Sequence, residues 1–273
     1  MLNHGQATPA RILRRAAILG PLLLALLPVT PAQAEIKGGG FVWVNRLTFV
    51  GTPPGTEAVT LSKYEFTGAH VTSLHPGDLT IAEFGRGMAV DGEGDLWYSA
   101  LIKSGTALVG DGRIHTLIGG LHVTFADPGG FAGIGALDFA DGSIWAISYF
   151  GSPNYLYRID PTTGAVEASC SVPGSTLTDT LAVRGTTFLT DGGGVSSTTL
   201  TAYEIPTTEG ATCATTGESF TLPFGVRGID HVHGSRLLAS DGSSVHDLSR
   251  RPYTASVGSI PVPEGWDISV VFK

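Results

Sequence analysis

The chain has 273 residues, of which 38 are glycine, an ordinary 42% hydrophobic share and a formal charge of −8. Disordered chains are poor in apolar residues, so glycine at about twice its usual share of roughly 7% points to a turn-rich folded protein. The acidity excludes a nucleic-acid or anionic-membrane partner, since phosphate binding needs a basic face.

The first element in chain order is a leader. Arg11, Arg14 and Arg15 precede an apolar run from Ala16 to Leu27, then Pro28 and the small-residue pattern Ala32-Gln33-Ala34 ahead of Glu35. An apolar run too short to cross a bilayer, in that order, is the pattern of a cleavable secretory signal over residues 1–34. An uncleaved anchor is the alternative. Export to the periplasm or the extracellular space is therefore expected, with residues 35–273 as one domain off the membrane. Losing three arginines with the leader leaves that domain more acidic still.

After residue 35, short apolar runs broken by Gly, Asp and Pro replace any helical period, which is the pattern of strands. Phe41–Val50, Glu57–Phe66 and His70–Phe84 are the first three predicted strands. A repeat follows. Gly87-Met88-Ala89-Val90 leads through a Gly-rich turn to Asp95-Leu96-Trp97-Tyr98, and Gly135-Ala136-Leu137-Asp138 leads through Asp141-Gly142 to Ser143-Ile144-Trp145-Ala146. The pattern returns at Thr180-Leu181-Ala182-Val183 and again at Gly228-Ile229-Asp230-His231. Two more strands complete a unit, as in Leu156–Ile159 and Ala165–Ala168 around the turn Asp160–Gly164.

Four antiparallel strands repeating at roughly 47 residues are one blade of a β-propeller. Counting units predicts an all-β propeller of five blades. The final run, Trp266–Phe272, would lend its strand to the first blade and remove exposed sheet edges. Six blades with degenerate ends, or an open β-sandwich or β-helix, are the alternatives. Asp-Gly pairs at 91–92, 111–112, 141–142, 191–192 and 241–242 are expected to turn hairpins. Cys170 and Cys213 are the only cysteines; an oxidising compartment favours their pairing, with two separate buried thiols as the alternative.

Residues that depart from a repeat are better functional candidates than residues that obey it. Asp230 and His231 stand where the first full unit has Ala89 and Val90. His231 is a candidate general base with Asp230 beside it, both expected at one channel mouth with Arg86 and Arg227, and His233 lies two residues on. No metal site is expected, because two imidazoles are too few ligands. Arg86 and Arg227 each precede the glycine that opens an inner strand, so both should reach the same channel mouth and grip an anionic ligand through forked hydrogen bonds. Pairing of each arginine with an acid such as Glu83 or Asp230 is the structural alternative. Asp91–Asp95 begins like a calcium loop but has Leu96 and Ile102 at the positions that need Gly and a bidentate acid. No Gly-x-Ser-x-Gly elbow, phosphate loop or Cys-x-x-Cys motif occurs.

Gly87–Trp97 and Gly135–Trp145 resemble the repeats of secreted NHL-type and gluconolactonase-type propellers, families that include binding scaffolds and metal-dependent hydrolases. The calcium ligands of the lactonase type find no counterpart, since Asn45 and Asn154 lie off the predicted inner strands. Asp141–Trp145 with Tyr149–Ser152 and Leu156–Pro161, together with Leu237–Ser243, is similar to the bacterial and plant type of glutaminyl-peptide cyclotransferase, a five-bladed exported propeller. Ala146-Ile147-Ser148 stands where that family carries its catalytic Glu segment. The expected function is a monomeric ligand- or protein-binding scaffold with its site at one channel mouth, its partner a small molecule, peptide or glycan, needing no cofactor. The alternative is a propeller hydrolase or acyltransferase acting on a small anionic or peptide substrate. A channel plugged by Met88, Ala136 and Leu181 would favour the scaffold; a buried acid or metal beside His231 would favour the enzyme.

Overall fold

The computed structural model describes residues 36, 38–50, 56–76, 83–104, 107–118, 121–126, 128, 133–194, 196–232, 236–248, 250–262 and 265–272. The leader assigned to residues 1–34 and the candidate His233 lie outside them. Strands β1 (Gly40–Val50), β2 (Thr56–Glu65) and β3 (His70–Leu74) form the first sheet, with a fourth strand added from the other end of the chain. The second sheet is β4 (Glu83–Val90), β5 (Leu96–Ser104), β6 (Ala107–Ile118) and β7 (Leu121–Ala126). The third is β8 (Ile134–Ala140), β9 (Ser143–Ser148), β10 (Asn154–Ile159) and β11 (Val166–Val172). The fourth takes β12 (Ala182–Arg184), β13 (Thr187–Asp191) and β14 (Thr199–Glu204); the two-residue β15 (Ala211–Thr212) leaves to join β11, and β16 (Thr215–Thr221) completes the sheet. The fifth is β17 (Gly228–His231), β18 (Leu237–Ser240), β19 (Ser244–Leu248) and β20 (Gly258–Pro261). Last comes β21 (Gly265–Phe272), which pairs antiparallel with β1 as the innermost strand of the first sheet.

The innermost strands β21, β4, β8, β12 and β17 each contact the next, and β17 returns to β21. This is a five-bladed propeller closed by its last strand, as the repeat predicted. Alternation explains its core. Successive residues of a strand face opposite sides of the sheet, so Leu237 packs towards the fourth blade and Leu238 towards the first. The five apolar clusters accordingly lie one at each junction between neighbouring blades. Trp97 and Trp145 occupy equivalent positions and both face the following blade.

Two expectations need correction, and one condition is not met. The predicted strand His70–Phe84 is two pieces, since β3 ends at Leu74 and Phe84 belongs to β4 of the next blade. Asp141 and Gly142, at φ 52° and 75°, make the two-residue hairpin that an Asp-Gly pair favours, but Asp111-Gly112 sits inside β6 opposite a register shift in β5, as a bulge. Met88, Ala136 and Leu181 do not plug the channel; they pack between blades.

Cys170 and Cys213 form a disulfide, with 5.1 Å between their Cα atoms. The bond fixes β15, an excursion of the fourth blade, against the outer strand of the third. It joins residues separated by 43 positions in sequence, a loop closure that chain-entropy arithmetic values at about 4 kcal/mol at most. The Cys170→Ser, Cys213→Ser double variant is expected to unfold in urea at a lower midpoint by about that free energy. An unchanged midpoint would show the clasp to be mechanically idle.

Candidate functional site

The upper face is defined as the end of the channel at which the innermost strands begin. Arg86 lies near the start of β4, where the pairing with β5 shifts register between Gly85 and Met88. Such a bulge re-aims the side chain it carries. The neighbouring Gly87 cannot be enlarged, because a Cβ there would come within 2.7 Å of the Ala136 and Leu137 backbone. Arg86 is 4% exposed; its Nη1 lies 3.5 Å from Oδ1 of Asp179, and its guanidinium sits 4.5 Å from the centre of the Tyr149 ring.

Arg227, half-buried just ahead of β17, packs its guanidinium end against Gly242. It acts electrostatically on the same Asp179. The charges of both arginines, on blades two and five, therefore act on one acid, which Arg86 alone contacts. The repeat explains why: Asp179 precedes Thr180 as Arg86 precedes Gly87 and Arg227 precedes Gly228. Equivalent positions on a closed ring share one height and one radius.

Asp191, at the end of β13, supports Asp179 from beneath. Its Oδ1 accepts the N–H of Asp179 at 3.2 Å, the N–H of Thr180 at 3.1 Å and the Thr180 hydroxyl at 2.8 Å. The Oδ2 atoms of both aspartates are buried and accept no hydrogen bond from the described residues. Burial pushes Asp179 up to about 6 against the pull of Arg86 and Arg227. Burial also lifts Asp191 to about 7, with the Thr180 hydroxyl opposing and the charge of Asp179 adding. Neither acid stands out in the sequence as a site residue. Asp191 reads there as half of a hairpin Asp-Gly, and Asp179 shows only when any charge, of either sign, is sought at the repeat position of Arg86.

Asp230 and His231 do not join this mouth. Asp230 points into the channel, where Oδ2 accepts the N–H of Val270 at 2.6 Å. Burial holds its carboxyl well above the ordinary value, and Asp138 reinforces the effect. His231 ends β17 and pairs with Leu237 at the opposite end of the blade. Four residues of strand separate it from Arg227, roughly 13 Å. Burial, then Arg184 and Arg251, lowers its imidazole to about 4. A base that weak, on the other face, does not serve a reaction at the upper mouth.

The channel itself holds three buried carboxyls, Asp138, Asp230 and Asp267, on β8, β17 and β21. Each accepts a backbone N–H from another blade: Asp138 from Val183 at 2.5 Å, Asp230 from Val270, and Asp267 from Met88 at 2.8 Å and Leu137 at 3.2 Å. Every innermost strand is a sheet edge with N–H groups facing the axis, and these carboxyls accept those of Val183, Val270, Met88 and Leu137. Among the described residues no three His, Cys, Asp or Glu side chains are placed to share a metal ion.

No family model matches the chain, and no curated protein matches it. Among solved structures, a chain of a nidogen/laminin complex superimposes with a TM-score of 0.53 at 10% identity, over 85% of this chain and 98% of that one. Virginiamycin B lyase from Staphylococcus aureus gives 0.43 at 13% identity, over 81% of this chain and 70% of the other. The WD40 domain of Neurospora crassa Pan2 gives 0.40 at 12%, over 84% and 65%. The first of these supports the propeller fold, and at such identity the likeness stops at the fold.

Proposed function

We propose that this chain is an exported propeller that binds a small anionic ligand at the upper mouth of its channel. The observation that carries the reading is the Arg86–Asp179 contact, with Arg227 at the equivalent repeat position on the fifth blade and its charge pulling on the same carboxyl. Burial keeps Asp179 and Asp191 partly protonated near neutrality, so two guanidinium groups face less than two negative charges, and the 3.5 Å Arg86–Asp179 contact is longer than the roughly 2.7–2.9 Å of a strong charge-assisted bond. An incoming anion can therefore compete for the arginines, and poor local solvation strengthens what it gains. The leader pattern and the disulfide support export.

The pH dependence has a definite sign. Asp179, raised to about 6, loses its charge as pH falls through that value, and both arginines then face the ligand. Calorimetric titration with sulfate, whose charge is constant between pH 5 and 8, is expected to give one saturable site, roughly tenfold tighter at pH 5. Arg227→Gln should weaken it by at least about tenfold. No saturation at either pH, or an unchanged affinity in Arg227→Gln, overturns the assignment.

A second reading rests on Asp179 and Asp191. Two adjacent carboxyls lifted to about 6 and about 7, each with a bare oxygen, offer one proton donor and one acceptor near neutrality. That arrangement suits hydrolysis or acyl transfer on the bound anion, the chemistry implied by the lactonase-type and cyclotransferase resemblances. Turnover of an anionic ester or lactone that vanishes in Asp191→Asn while sulfate still binds would favour it. Turnover that persists in Asp191→Asn would exclude the pair.

A further inference from the structure

On the face opposite the arginines, a cleft of roughly 580 Å³ opens between the second and third blades. Its floor is aromatic: Trp97 and Phe125, with ring centres 5.3 Å apart, and Phe139 from the end of β8. Ile118 and Val123 form an apolar wall, and at 43% and 37% exposure they are among the large hydrophobic side chains most open to solvent. Asp91, Glu93 and Asp95 form the rim, and among the described residues no Lys, Arg or His lines the cavity.

The rim is built to stay acidic and in place. Asp91 Oδ1 accepts the N–H groups of Glu93 and Asp95 at 3.1 and 2.8 Å, while Oδ2 accepts the Trp97 indole N–H at 3.0 Å. One carboxylate thus ties the acidic turn to the aromatic floor. Exposed apolar surface beside rings and an acidic rim is complementary to a chain that carries cations on short apolar spacing: the cation lies over an aromatic face or against the Glu93 carboxylate while its neighbour covers Ile118 and Val123.

We propose that this cleft docks an extended basic segment of a partner protein, in which Lys or Arg alternates with apolar residues. The site is independent of the upper mouth, and its occupant is of opposite charge. The probe is a fluorescein-labelled peptide of three Lys-Leu repeats, read by anisotropy against the intact protein, with three Glu-Leu repeats as its counterpart. Saturable binding of the Lys-Leu peptide alone is expected. Glu93→Lys, on an exposed turn, should weaken it at least about tenfold, and Val123→Ser by about threefold. Glu209→Lys makes the same charge change at an exposed position of the fourth blade and should cost less than about twofold. Arg227→Gln should leave the peptide affinity unchanged. Equal losses in Glu93→Lys and Glu209→Lys would reduce the effect to diffuse attraction by an acidic protein and overturn the proposal. Binding of the Glu-Leu peptide at similar affinity, or no saturation, would do the same.

Discussion

Deleting residues 265–273 is expected to abolish cooperative unfolding, and Asp267→Ala alone to cost on the order of 5 kcal/mol. The reason lies in the five inner edges. Each innermost strand is bonded on one side only, so its other side presents N–H groups to the channel, and Met88, Leu137 and Asp267 are buried there. β21 answers three of these at once. Asp267 Oδ2 takes the N–H groups of Met88 and Leu137, on two different blades, and Ser269 Oγ takes that of Val90 at 3.1 Å. Oδ1 of Asp267 also accepts the N–H of Ile268 at 3.0 Å. Truncation to Ala leaves three buried donors without acceptors, at about 1–3 kcal/mol each. Asp267→Asn keeps one acceptor oxygen for Met88 and Leu137 and should cost clearly less. Urea unfolding of the three proteins measures this order; an Asp267→Ala variant within about 1 kcal/mol of the parent would show that the carboxyl does not hold the ring.

The closing strand was legible because its apolar run had no partner of its own in the repeat, while the first unit lacked a strand. The mouth was half legible. Arg86 and Arg227 share a residue type at equal positions of the repeat, and equal positions meet on a ring, whereas the acid beside Arg86 shares the position and not the residue type. Asp179 holds the same repeat position with the opposite charge. His231 was misplaced for a geometric reason. The short strand β17 (Gly228–His231) runs from one face of the propeller to the other, so neighbours in sequence to Arg227 are not its neighbours at the mouth. Asp230 was visible as a departure from Ala89, but its task of accepting the Val270 N–H depends on β21, a partner some forty residues away that no local pattern announces. The cleft between blades two and three was invisible for the same reason: Asp91 and Thr162 belong to different units and meet only when the units stand side by side.

Stability is expected to fall as pH rises, by several kcal/mol between pH 5 and pH 8. Burial raises the carboxyls of Asp138 and Asp191 to about 7 and that of Asp179 to about 6, and it holds Asp230 and Asp267 well above the ordinary value. The folded protein therefore keeps protons that the unfolded chain has released, and at a folded acid of raised pKa the stabilisation is complete below about 4 and lost as pH passes through 6 to 7. Each tenfold gain in a carboxyl's proton affinity on folding is worth about 1.4 kcal/mol. His231 works the other way. Lowered to about 4, it contributes stability above its ordinary value near 6.5, which fades as pH falls through 4; one imidazole opposes five carboxyls. Urea midpoints at pH 5, 6.5 and 8 should thus descend in that order. Asp191→Asn sharpens the test, because an amide oxygen can keep the three bonds that Oδ1 accepts from Asp179 and Thr180 and removes the charge. That variant should gain about 1–3 kcal/mol at pH 8, match the parent at pH 4.5, and flatten the profile between them. A profile that rises towards pH 8, or an Asp191→Asn variant destabilised there, would mean that the carboxyls at the mouth are ionised and satisfied in the folded protein. The upper mouth would then hold two full negative charges against its two arginines, and the attraction for an anion would go with them.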